Sequence, residues 1–504
     1  MHRPPAAEAV IAAELAVHRP DLGPRYAAEL PGARAAVLTR LWRALTHEPL
    51  PWITARDLAT GTLRLADGRR LHGPSPDPFA TDGYVTVVHL DDAGYDDPAR
   101  LMTDLGVPHA TDFAAELAHS TASLALSRAN QEAPGEGWPA SDWEWEQRVV
   151  DGHPYHPNCR SRPGFSVAEQ LAYGPEHRPD VRLSLVPVPV EGCLVSGEWP
   201  DELRDGARLL IPAHPWQARH VLKRTADAGP AFTDAGLTAH PLMSLRTLAL
   251  PDGGPHVKTA LSARLTSSVR DISIGSVLAS ATLSAFAETV AVRTDGLLHV
   301  TRTPGAATAD SPDLAAVWRE SPQRYAAPGE RIVPVAALPV TGLPSRPGWL
   351  TDLARLCLTV GLRLLDLGVA LEAHGQNLLV VLSEDGTPVR LVYRDLADIR
   401  VSPTRLARHR IPLPDLPERI LTDDVTALRS KLFGSLVAGA LGSTAGGRTA
   451  LAEALEAAVP DLPPTKDLTA LREQPLPTKA LTLMRLSPGV SGDQWALLPN
   501  PLKN

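Results

Sequence analysis

The chain has 504 residues, a formal net charge of −8 and three scattered cysteines. This length accommodates two to four domains with sizeable cores. The acidic balance, without any basic block, argues against a nucleic-acid-binding protein, and so few cysteines exclude a disulfide framework. Glu8 and Glu14 interrupt the Ala-rich N-terminal stretch, which is therefore neither a signal sequence nor a membrane span, and we expect a cytoplasmic protein.

The first third of the chain mixes helix and strand signals. Residues 6–48 show the helical periodicity of alanine and leucine, with proline breaks. Residues 81–91 predict a strand and residues 112–129 a helix. Residues 137–150 carry three tryptophans that we expect to pack rather than to stack on a ligand: Trp138, Trp143 and Trp145.

Two motifs repeat the dipeptide His-Pro, namely HPYHPNCRSRPGF from His153 and IPAHPWQ from Ile211. His153 and His156 have the spacing of some zinc ligands, but the following prolines favour extended backbone and no matching cysteine or carboxylate is present. A rigid loop that presents imidazole, Arg160 and Arg162 to an anion is the more plausible interpretation. For His214, a packed histidine held by a backbone carbonyl remains the alternative.

A hairpin is predicted where Leu242–Leu248 runs through a Pro-Asp-Gly-Gly turn into Val257–Leu261. Ser244 and Arg246 are two residues apart, so they would share one face of the first strand. The turn centre places Lys258 across from Arg246 or from the next residue, Thr247.

Further cations and hydroxyls follow this predicted hairpin. Thr266 and Arg270 are four residues apart and would share a face if a helix begins there. Together with Lys258, one of only six lysines beside 43 arginines, they would suit a polyphosphate. The alternative is a solvated, charged strand face.

The C-terminal half alternates loop and helix signals. Residues 303–347 are rich in Pro, Gly and Ala and predict a linker or long loops. A helix is expected from Leu350 to Leu371, and residues 435–458 predict helix with a Gly-rich break.

The most informative segment is EAHGQN, residues 372–377, followed by an apolar hairpin. Leu378–Leu382 and Val389–Tyr393 read as its strands, and the turn is centred near Gly386. Residues that face each other across a hairpin have numbers with a constant sum, so Asn377 is predicted to lie opposite Asp395, give or take a register slip.

An amide oxygen and a carboxylate side by side, with Glu372 just upstream, predict a site for Mg²⁺ whose remaining ligands are nucleotide phosphate and water. The alternative is a polar hairpin end in which Asp395 is buried and satisfied by Arg394.

Taken in order, these motifs resemble the NRPS-independent siderophore synthetases, the aerobactin-synthetase-like IucA/IucC family. The matching elements run from about residue 150 to the C-terminus: HPYHPNCRSRPGFS, IPAHPWQ, SLRT, the segment from Lys258 to Arg270, EAHGQN, YRDL, TKALTLMR and the final NPL. Several short matches in one order are far more specific than any single one.

The resemblance implies an α+β fold shaped like a cupped hand. We expect a mainly helical thumb at 1–130, β-rich fingers at 131–345 and a mixed palm at 346–504. Family members condense a carboxylic acid, such as citrate or a citryl or succinyl derivative, with an amine, hydroxylamine or alcohol. They use ATP and release AMP and pyrophosphate, and they are commonly dimers.

The resemblance also assigns residues. Those for ATP are Ser244, Arg246, Lys258, Thr266, Arg270, His374, Gln376, Asn377 and Asp395. Those for Mg²⁺ are Glu372, Asn377 and Asp395. The catalytic assignment falls on His374, Lys258 and Arg270, because cations neutralise charge on the leaving pyrophosphate and a histidine anchors an anion or shuttles a proton. The expected substrate contacts are His153, His156, Arg160, Arg162, His214, Lys479 and Arg485.

Some observations leave alternatives open. Arg160 stands where many relatives have lysine, and Lys479 and Arg485 could equally be a solvated pair at a helix end. A strand lysine with an Asn and a metal-binding Asp also describes kinase-like phosphotransferases, although no Gly-rich phosphate loop is present. An amide ligase of a non-siderophore pathway and a relative that binds without turnover are the other rivals.

Overall fold

The computed structural model describes residues 7–132, 137–224, 236–266 and 268–503. It has a mixed α+β fold, as expected. Among the described residues, no helix is both long and apolar enough to cross a membrane.

The N-terminal segment combines a helical cluster with a small antiparallel sheet of strand order β1-β2-β3-β4-β5. The elements are α1 (Ala7–His18), α2 (Gly23–His47), β1 (Ile53–Asp57), β2 (Thr62–Leu65), β3 (Arg70–His72), β4 (Val88–Leu90), β5 (Ala93–Tyr95), α3 (Pro98–Leu105) and α4 (Ala110–Ala129). The predicted helices are confirmed. The predicted strand at 81–91 is confirmed only for its last part, because the Val85 amide donates to the Thr39 hydroxyl on α2 (3.0 Å) instead of joining a strand ladder.

The middle of the chain forms a nine-stranded sheet of order β7-β16-β17-β12-β11-β10-β6-β9-β8, whose strand pairs are antiparallel. The elements from α5 to β14 are α5 (Asp142–Gln147), α6 (Val167–Tyr173), β6 (Val181–Pro189), β7 (Leu194–Gly197), β8 (Arg204–Asp205), β9 (Arg208–Ala213), α7 (Pro215–His220), β10 (Gly236–Pro241), β11 (Thr247–Ala249), β12 (His256–Thr259), β13 (Leu261–Leu265) and β14 (Ser268–Arg270).

Two helices and four strands follow: α8 (Ile274–Leu278), α9 (Ser280–Ala291), β15 (Leu298–Val300), β16 (Gly305–Thr308), β17 (Ala315–Arg319) and β18 (Arg331–Pro334). The segment 303–347 is therefore not a linker, although the predicted long loops do occur between β17 and β18 and before α10. Its small residues, such as Ala306, Ala307, Ala315 and Ala316, are buried inside the sheet rather than exposed in a loop.

The C-terminal segment packs helices against a four-stranded sheet of order β15-β21-β20-β18. The elements are α10 (Trp349–Leu367), β19 (Val369–Ala370), β20 (Leu378–Leu382), β21 (Pro388–Tyr393), β22 (Arg400–Val401), α11 (Pro403–Arg408), α12 (Val425–Leu432), a π-helix (Phe433–Leu441), α13 (Gly442–Ala445), α14 (Arg448–Ala458), α15 (Lys466–Glu473), β23 (Leu476–Lys479), α16 (Leu481–Leu486) and β24 (Trp495–Leu498). Gly368, with φ 103°, ends α10 four residues before the predicted end.

Separate hydrophobic cores underlie these parts. The largest surrounds α10 and the four-stranded sheet, a second holds α2 and α4 together, and a third lies against the nine-stranded sheet. EAHGQN lies at the end of the two central strands of the four-stranded sheet, β20 and β21. This end meets the centre of the nine-stranded sheet, where Asp395 contacts residues of β12 and β17.

Candidate nucleotide site

The hairpin β20–β21 forms as predicted, but its register differs by one residue. Leu378 faces Tyr393 and Val380 faces Leu391, because the turn is centred one residue before Gly386, with Ser383 bonded to Thr387, and a bulge near Val381 only partly offsets this shift. The Arg394 amide donates to the carbonyl of Asn377 (3.0 Å), so Asn377 lies opposite Arg394 rather than Asp395. Asp395 then takes a left-handed conformation (φ 72°) beyond the strand end, which is unusual for a residue other than glycine.

The Asp395 carboxylate pairs with cations of the other sheet. Its Oδ2 lies 2.6 Å from Nζ of Lys258 and 3.8 Å from Arg319. In register, Arg319 faces His256, two residues from Lys258, so both cations lie on one face of the sheet. The alternative in which Arg394 satisfies Asp395 is therefore wrong.

Burial decides the protonation states of this pair. Desolvation lowers the pKa of Lys258 to about 8, although Asp395 opposes the shift and keeps it from falling further. Desolvation alone would raise the pKa of Asp395, but Lys258 and Arg319 more than offset it and hold that pKa well below its usual range. Asp395 is thus a carboxylate at neutral pH.

The segment before β11 differs from the prediction. Leu245 has φ 65° and its amide donates to the Leu242 carbonyl, so this segment is a turn and the strand begins at Thr247. Ser244 and Arg246 therefore do not share a strand face. The predicted pairing of Lys258 with Thr247 is confirmed.

Thr266 and Arg270 lie on a hairpin, not on the predicted helix. Leu261 of β13 faces Arg270 of β14, and Thr266 lies in the turn with φ 56°. The hairpin is nevertheless held at the site, because the guanidinium of Arg246 donates to the Arg270 carbonyl and to the Asp271 carbonyl (2.7 Å).

Arg246 and Arg270 both lie in the electrostatic field of the Asp395 carboxylate. Burial lowers the pKa of Arg246 to about 10, with Asp395 opposing the shift, and burial also lowers the pKa of Arg270 against the opposing fields of Asp395 and Glu372. Lys258, Arg246, Arg270 and Arg319 therefore gather around Asp395, and their charge exceeds that of this carboxylate.

His374 is held by its own loop. Its Nδ1 accepts the amide of Gln376 (3.3 Å), which places the ring proton of the neutral imidazole on Nε2. Burial, with Lys479 and Arg270, lowers the pKa of His374, although Glu372 and Asp395 oppose the shift. His374 is therefore neutral near pH 7 and supplies an uncharged N–H donor rather than a group that titrates at its ordinary pKa.

The glycine after His374 is required by close packing. A Cβ at Gly375 would lie 2.9 Å from the backbone nitrogen of Ala336, which also donates to the Gly375 carbonyl. No flexible side chain can move aside there.

Glu372 belongs to a network of partly buried charges that was not predicted from the sequence. Its Oε1 lies 2.6 Å from Nζ of Lys479, which also contacts Asp493 (3.0 Å). Lys431, 2% exposed in its side chain, lies 2.8 Å from both Asp493 and Asp398. Lys479 is the last residue of β23 and the counter-ion of Glu372. It is therefore neither free to bind a substrate nor part of a solvated helix end.

The remaining substrate candidate near the C-terminus is also engaged. Arg485 contacts Glu116 (2.6 Å), which in turn accepts the side-chain amide of Asn158 in the first His-Pro motif (2.6 Å). Arg485 thus braces that motif and does not pair with Lys479.

Within the first His-Pro motif, the two arginines and the two histidines have different kinds of partner. The expectation that Arg160 and Arg162 face an anion from solution is wrong: both are buried and contact Glu176, Arg162 at 2.8 Å and Arg160 at 3.4 Å. Two desolvated guanidinium groups need a buried carboxylate, and these arginines hold the pKa of Glu176 well below its usual range although burial opposes them.

The two histidines interact electrostatically with residues of the candidate site. His153 accepts the amides of Tyr155 and His156 at Nδ1, and His156 accepts the amide of Asn158 (3.0 Å), so both neutral rings carry their proton on Nε2. Burial lowers both pKa values. The fields of His156 and His374 lower that of His153 further, and the field of Arg270 acts on His156.

His214 is buried at the start of α7. Its Nδ1 accepts the Trp216 amide (3.1 Å) at the start of α7, its ring packs edge-on against Tyr173, and burial lowers its pKa to about 3. The ring is packed, but no carbonyl holds it: Nε2 has no hydrogen-bond partner among the described residues, so the substrate assignment of His214 stays a prediction.

The donor set fits Mg²⁺ only in company with phosphate. Within the described ranges, no group of three or more His, Cys, Asp or Glu side chains is placed to hold a metal ion. Asp395 and Asn377, with Glu372 nearby, supply one to three oxygens beside a cation-rich space, which matches the way Mg²⁺ binds through few carboxylates and the oxygens of a nucleotide.

Sequence comparison identifies two regions. Residues 141–340 match the IucA / IucC family and residues 348–493 match the ferric iron reductase FhuF-like transporter family. The chain is 26% identical to the citryl-spermidine/3,4-dihydroxybenzoyl-citryl-spermidine:spermidine ligase of Bacillus anthracis, over an alignment that covers 50% of each chain. It is 28% identical to the aerobactin synthase of Escherichia coli, over 56% of this chain and 59% of that one. The alignments thus span about half the length of these curated relatives.

Solved structures share the whole fold. The petrobactin biosynthesis protein AsbB of Bacillus anthracis matches with a TM-score of 0.75 at 18% identity, over 95% of this chain and 98% of that one. The ATP-bound aerobactin synthetase IucA of Klebsiella pneumoniae matches with a TM-score of 0.66 at 19% identity, over 93% and 99%. Motifs, family match and fold agree: residues 141–340 are similar to the IucA / IucC family, and the fold is that of the solved synthetases.

Proposed function

We propose that the protein is an ATP-dependent synthetase that adenylates a carboxylic acid and condenses it with an amine, hydroxylamine or alcohol, releasing AMP and pyrophosphate. The observation that carries the proposal is the gathering of Lys258, Arg246, Arg270 and Arg319 around Asp395. A polyphosphate anion would complete this charge balance.

In the first step, an oxygen of the acid bonds to the α-phosphorus of ATP while the bond to the pyrophosphate oxygen breaks. Two anions approach each other and negative charge grows on the leaving pyrophosphate. Lys258, Arg246 and Arg270 would neutralise that charge, and they are fixed before the reaction by their contacts with Asp395 and with backbone carbonyls. Bound Mg²⁺, held by Asp395, Asn377 and Glu372 together with phosphate oxygens, would neutralise further phosphate charge.

His374 would bind rather than accept a proton. Its Nε2–H is available as a neutral donor because Nδ1 is already engaged by Gln376. Such a donor can hold a phosphate or carboxylate oxygen without titrating near neutral pH. His153 and His156 offer the same kind of donor from the opposite loop.

In the second step, the nucleophile's nitrogen or oxygen bonds to the acyl carbon and AMP leaves. The nucleophile must be unprotonated. An alkylamine with a pKa of about 10 is mostly charged at pH 7, whereas hydroxylamines are much less basic.

For the acyl donor we propose citrate or a citryl or succinyl derivative. The names of two matched relatives contain citryl compounds, citryl-spermidine and N(2)-citryl-N(6)-acetyl-N(6)-hydroxylysine, which supports this class. We further propose a cytoplasmic homodimer with a thumb at 1–130, fingers at 131–345 and a palm at 346–504. Sedimentation of the purified protein would test the dimer.

The decisive experiment incubates the protein with ATP, Mg²⁺, free hydroxylamine and one acid at a time: citrate, succinate, 2-oxoglutarate or glutamate. AMP, ADP and hydroxamate are measured together. AMP with hydroxamate for one acid is the expected result and identifies the acyl donor. ADP would instead favour a phosphotransferase, and no nucleotide turnover with any acid would contradict the proposed adenylation of this class.

A further inference from the structure

The short helix α5 lies behind the candidate site and carries two buried carboxylates. Asp142 is 2% exposed and Glu146 is 1% exposed. The helix belongs to the tryptophan-rich segment that the sequence analysis interpreted as packing only. A buried carboxylate requires partners, so its contacts show which parts of the structure it holds.

Glu146 joins two segments that carry site residues. Its Oε2 accepts the amide of Met243 (3.0 Å), and its Oε1 lies 2.6 Å from a guanidinium nitrogen of Arg394. Met243 directly precedes Ser244, and Arg394 directly precedes Asp395. The side chains of the ion pair are 0% and 4% exposed, so water does not compete for the contact.

Arg394 extends this connection to the EAHGQN loop. Its Nε and one terminal nitrogen donate to the carbonyl of Gln376 at 3.1 and 2.7 Å, and its amide donates to the Asn377 carbonyl. Glu146 is therefore connected to three segments of the candidate site. It contacts the turn before β11 at Met243, and Arg394 connects it to the EAHGQN loop and to Asp395.

The other carboxylate of α5 supports the strand that carries the lysine. Oδ2 of Asp142 lies 3.0 Å from Nε2 of His256, and neither side chain is more than 2% exposed. His256 precedes Lys258 by two residues on β12 and faces Arg319 on β17. The helix thus contacts the supports of Lys258, Arg319, Asp395 and Ser244 from one side.

We propose that Glu146 is a positioning residue for nucleotide binding, which holds the Ser244 turn and the Gln376–Asp395 edge in one arrangement through Met243 and Arg394. This inference rests on the proposed ATP site. Glu146→Gln keeps the size of the side chain and an oxygen that can accept from Met243, but it removes the charge beside Arg394. The unpaired guanidinium then no longer fixes the Gln376 carbonyl, and the two segments separate.

The test measures the affinity for ATP with Mg²⁺ by calorimetry, without any acid. A purely structural role would lower the number of binding sites and the melting temperature but leave the Kd of the folded fraction unchanged. A positioning role raises the Kd itself, and we expect at least a tenfold increase for E146Q. A Kd within twofold of the unmodified protein would overturn the proposal.

Asp467→Asn is the matched control. Asp467 is another largely buried carboxylate with arginine partners, Arg405 at 2.8 Å and Arg429 at 2.7 Å, and it lies on α15 away from the candidate site. D467N should lower the melting temperature yet keep the Kd for ATP within twofold. An equal loss of affinity in D467N would show that any lost buried ion pair has this effect and would also overturn the proposal.

Glu146→Asp covers the case in which E146Q does not fold. It keeps a charge for Arg394, but it is too short to reach Met243 and Arg394 together, so we expect a folded protein whose Kd rises three- to tenfold. An unchanged Kd in E146D contradicts the proposal. Failure of the proposed adenylation is a separate result, because the Kd values for ATP of the variants and the unmodified protein are compared without any acid. A protein that binds ATP but forms no AMP refutes the reaction and leaves the test of Glu146 intact.

Discussion

Nζ of Lys258 lies 2.6 Å from Oδ2 of Asp395, across the junction of the nine-stranded and four-stranded sheets. The two residues are 137 positions apart, and their chain neighbours Val257 and Leu396 belong to different hydrophobic cores. This single contact ties the strand lysine to the edge of the EAHGQN hairpin, and most of the candidate site is organised around it.

Replacing Lys258 with methionine should lower acid-dependent AMP formation by about 100-fold or more, because a preorganised cation would be lost where phosphate charge develops. The measurement is AMP release at saturating ATP. Lys466→Met, at an exposed position on α15, is the control and should retain activity within twofold. Equal rates in K258M and K466M would remove Lys258 from the proposed chemistry.

Arg319 was not among the residues expected from the sequence, yet it lies 3.8 Å from Asp395 and is 7% exposed in its side chain. We expect Arg319→Met to raise the KM for ATP about tenfold, the effect of one lost charged contact of about 1.4 kcal/mol. Arg324→Met, whose side chain is 70% exposed, serves as the comparison. If both variants have the KM of the unmodified protein, Arg319 only satisfies Asp395.

Arg162 should contribute to stability and not to substrate binding. Arg162→Met leaves Glu176 without its closest partner in a fully buried position, which should cost about 3–5 kcal/mol in the free energy of unfolding. Denaturant titration measures this change. The KM values for acid and ATP should remain within twofold in the folded enzyme, and a large rise in the KM for the acid would restore the anion-facing interpretation of this loop.

Glu48 predicts a pH-dependent stability. Burial raises the pKa of its carboxyl from 4.5 to about 7, although the amides of Leu483 and Thr482 oppose the shift. A carboxyl whose pKa is raised on folding stabilises the folded state below pH 4.5, and this contribution is lost as the pH rises through about 7.

The loss amounts to about 3 kcal/mol across this window. Glu48→Gln cannot ionise, so its melting temperature should vary less between pH 5 and pH 8 than that of the unmodified protein. Exposed Glu473→Gln should keep the original profile. Parallel profiles for all three proteins would show that Glu48 does not titrate in this range.

Mg²⁺ should bind with the nucleotide and not before it. In the described part of the chain no three acidic or imidazole side chains form a metal-binding group, and Asp395 and Glu372 are already paired with lysines. Mg²⁺ alone should therefore leave the melting temperature unchanged, whereas Mg²⁺ with ATP should raise it. Chelation should abolish AMP formation. A rise with Mg²⁺ alone would indicate a preformed metal site.

The sequence by itself determined the local features of the site. Alternating apolar runs around turn residues predicted both hairpins and the pairing of Lys258 with Thr247, because side-chain alternation and turn chemistry act over a few residues. The order of the motifs carried the resemblance to the IucA/IucC family, whose model matches residues 141–340. The second register differed by one residue from the prediction, since the run of turn residues from Ser383 to Pro388 does not fix on which residue the turn is centred.

Only the tertiary structure decided which charges meet. Buried ions must find partners wherever the fold brings them, so Asp395 pairs with Lys258 and Arg319, Arg162 with Glu176, and Arg394 with Glu146. The same residue types, read along the chain, are equally compatible with solvated surface charges. The fold thereby separates arginines matched by a buried carboxylate, such as Arg162 and Arg394, from cations that share the single carboxylate of Asp395 and so retain charge for a bound anion.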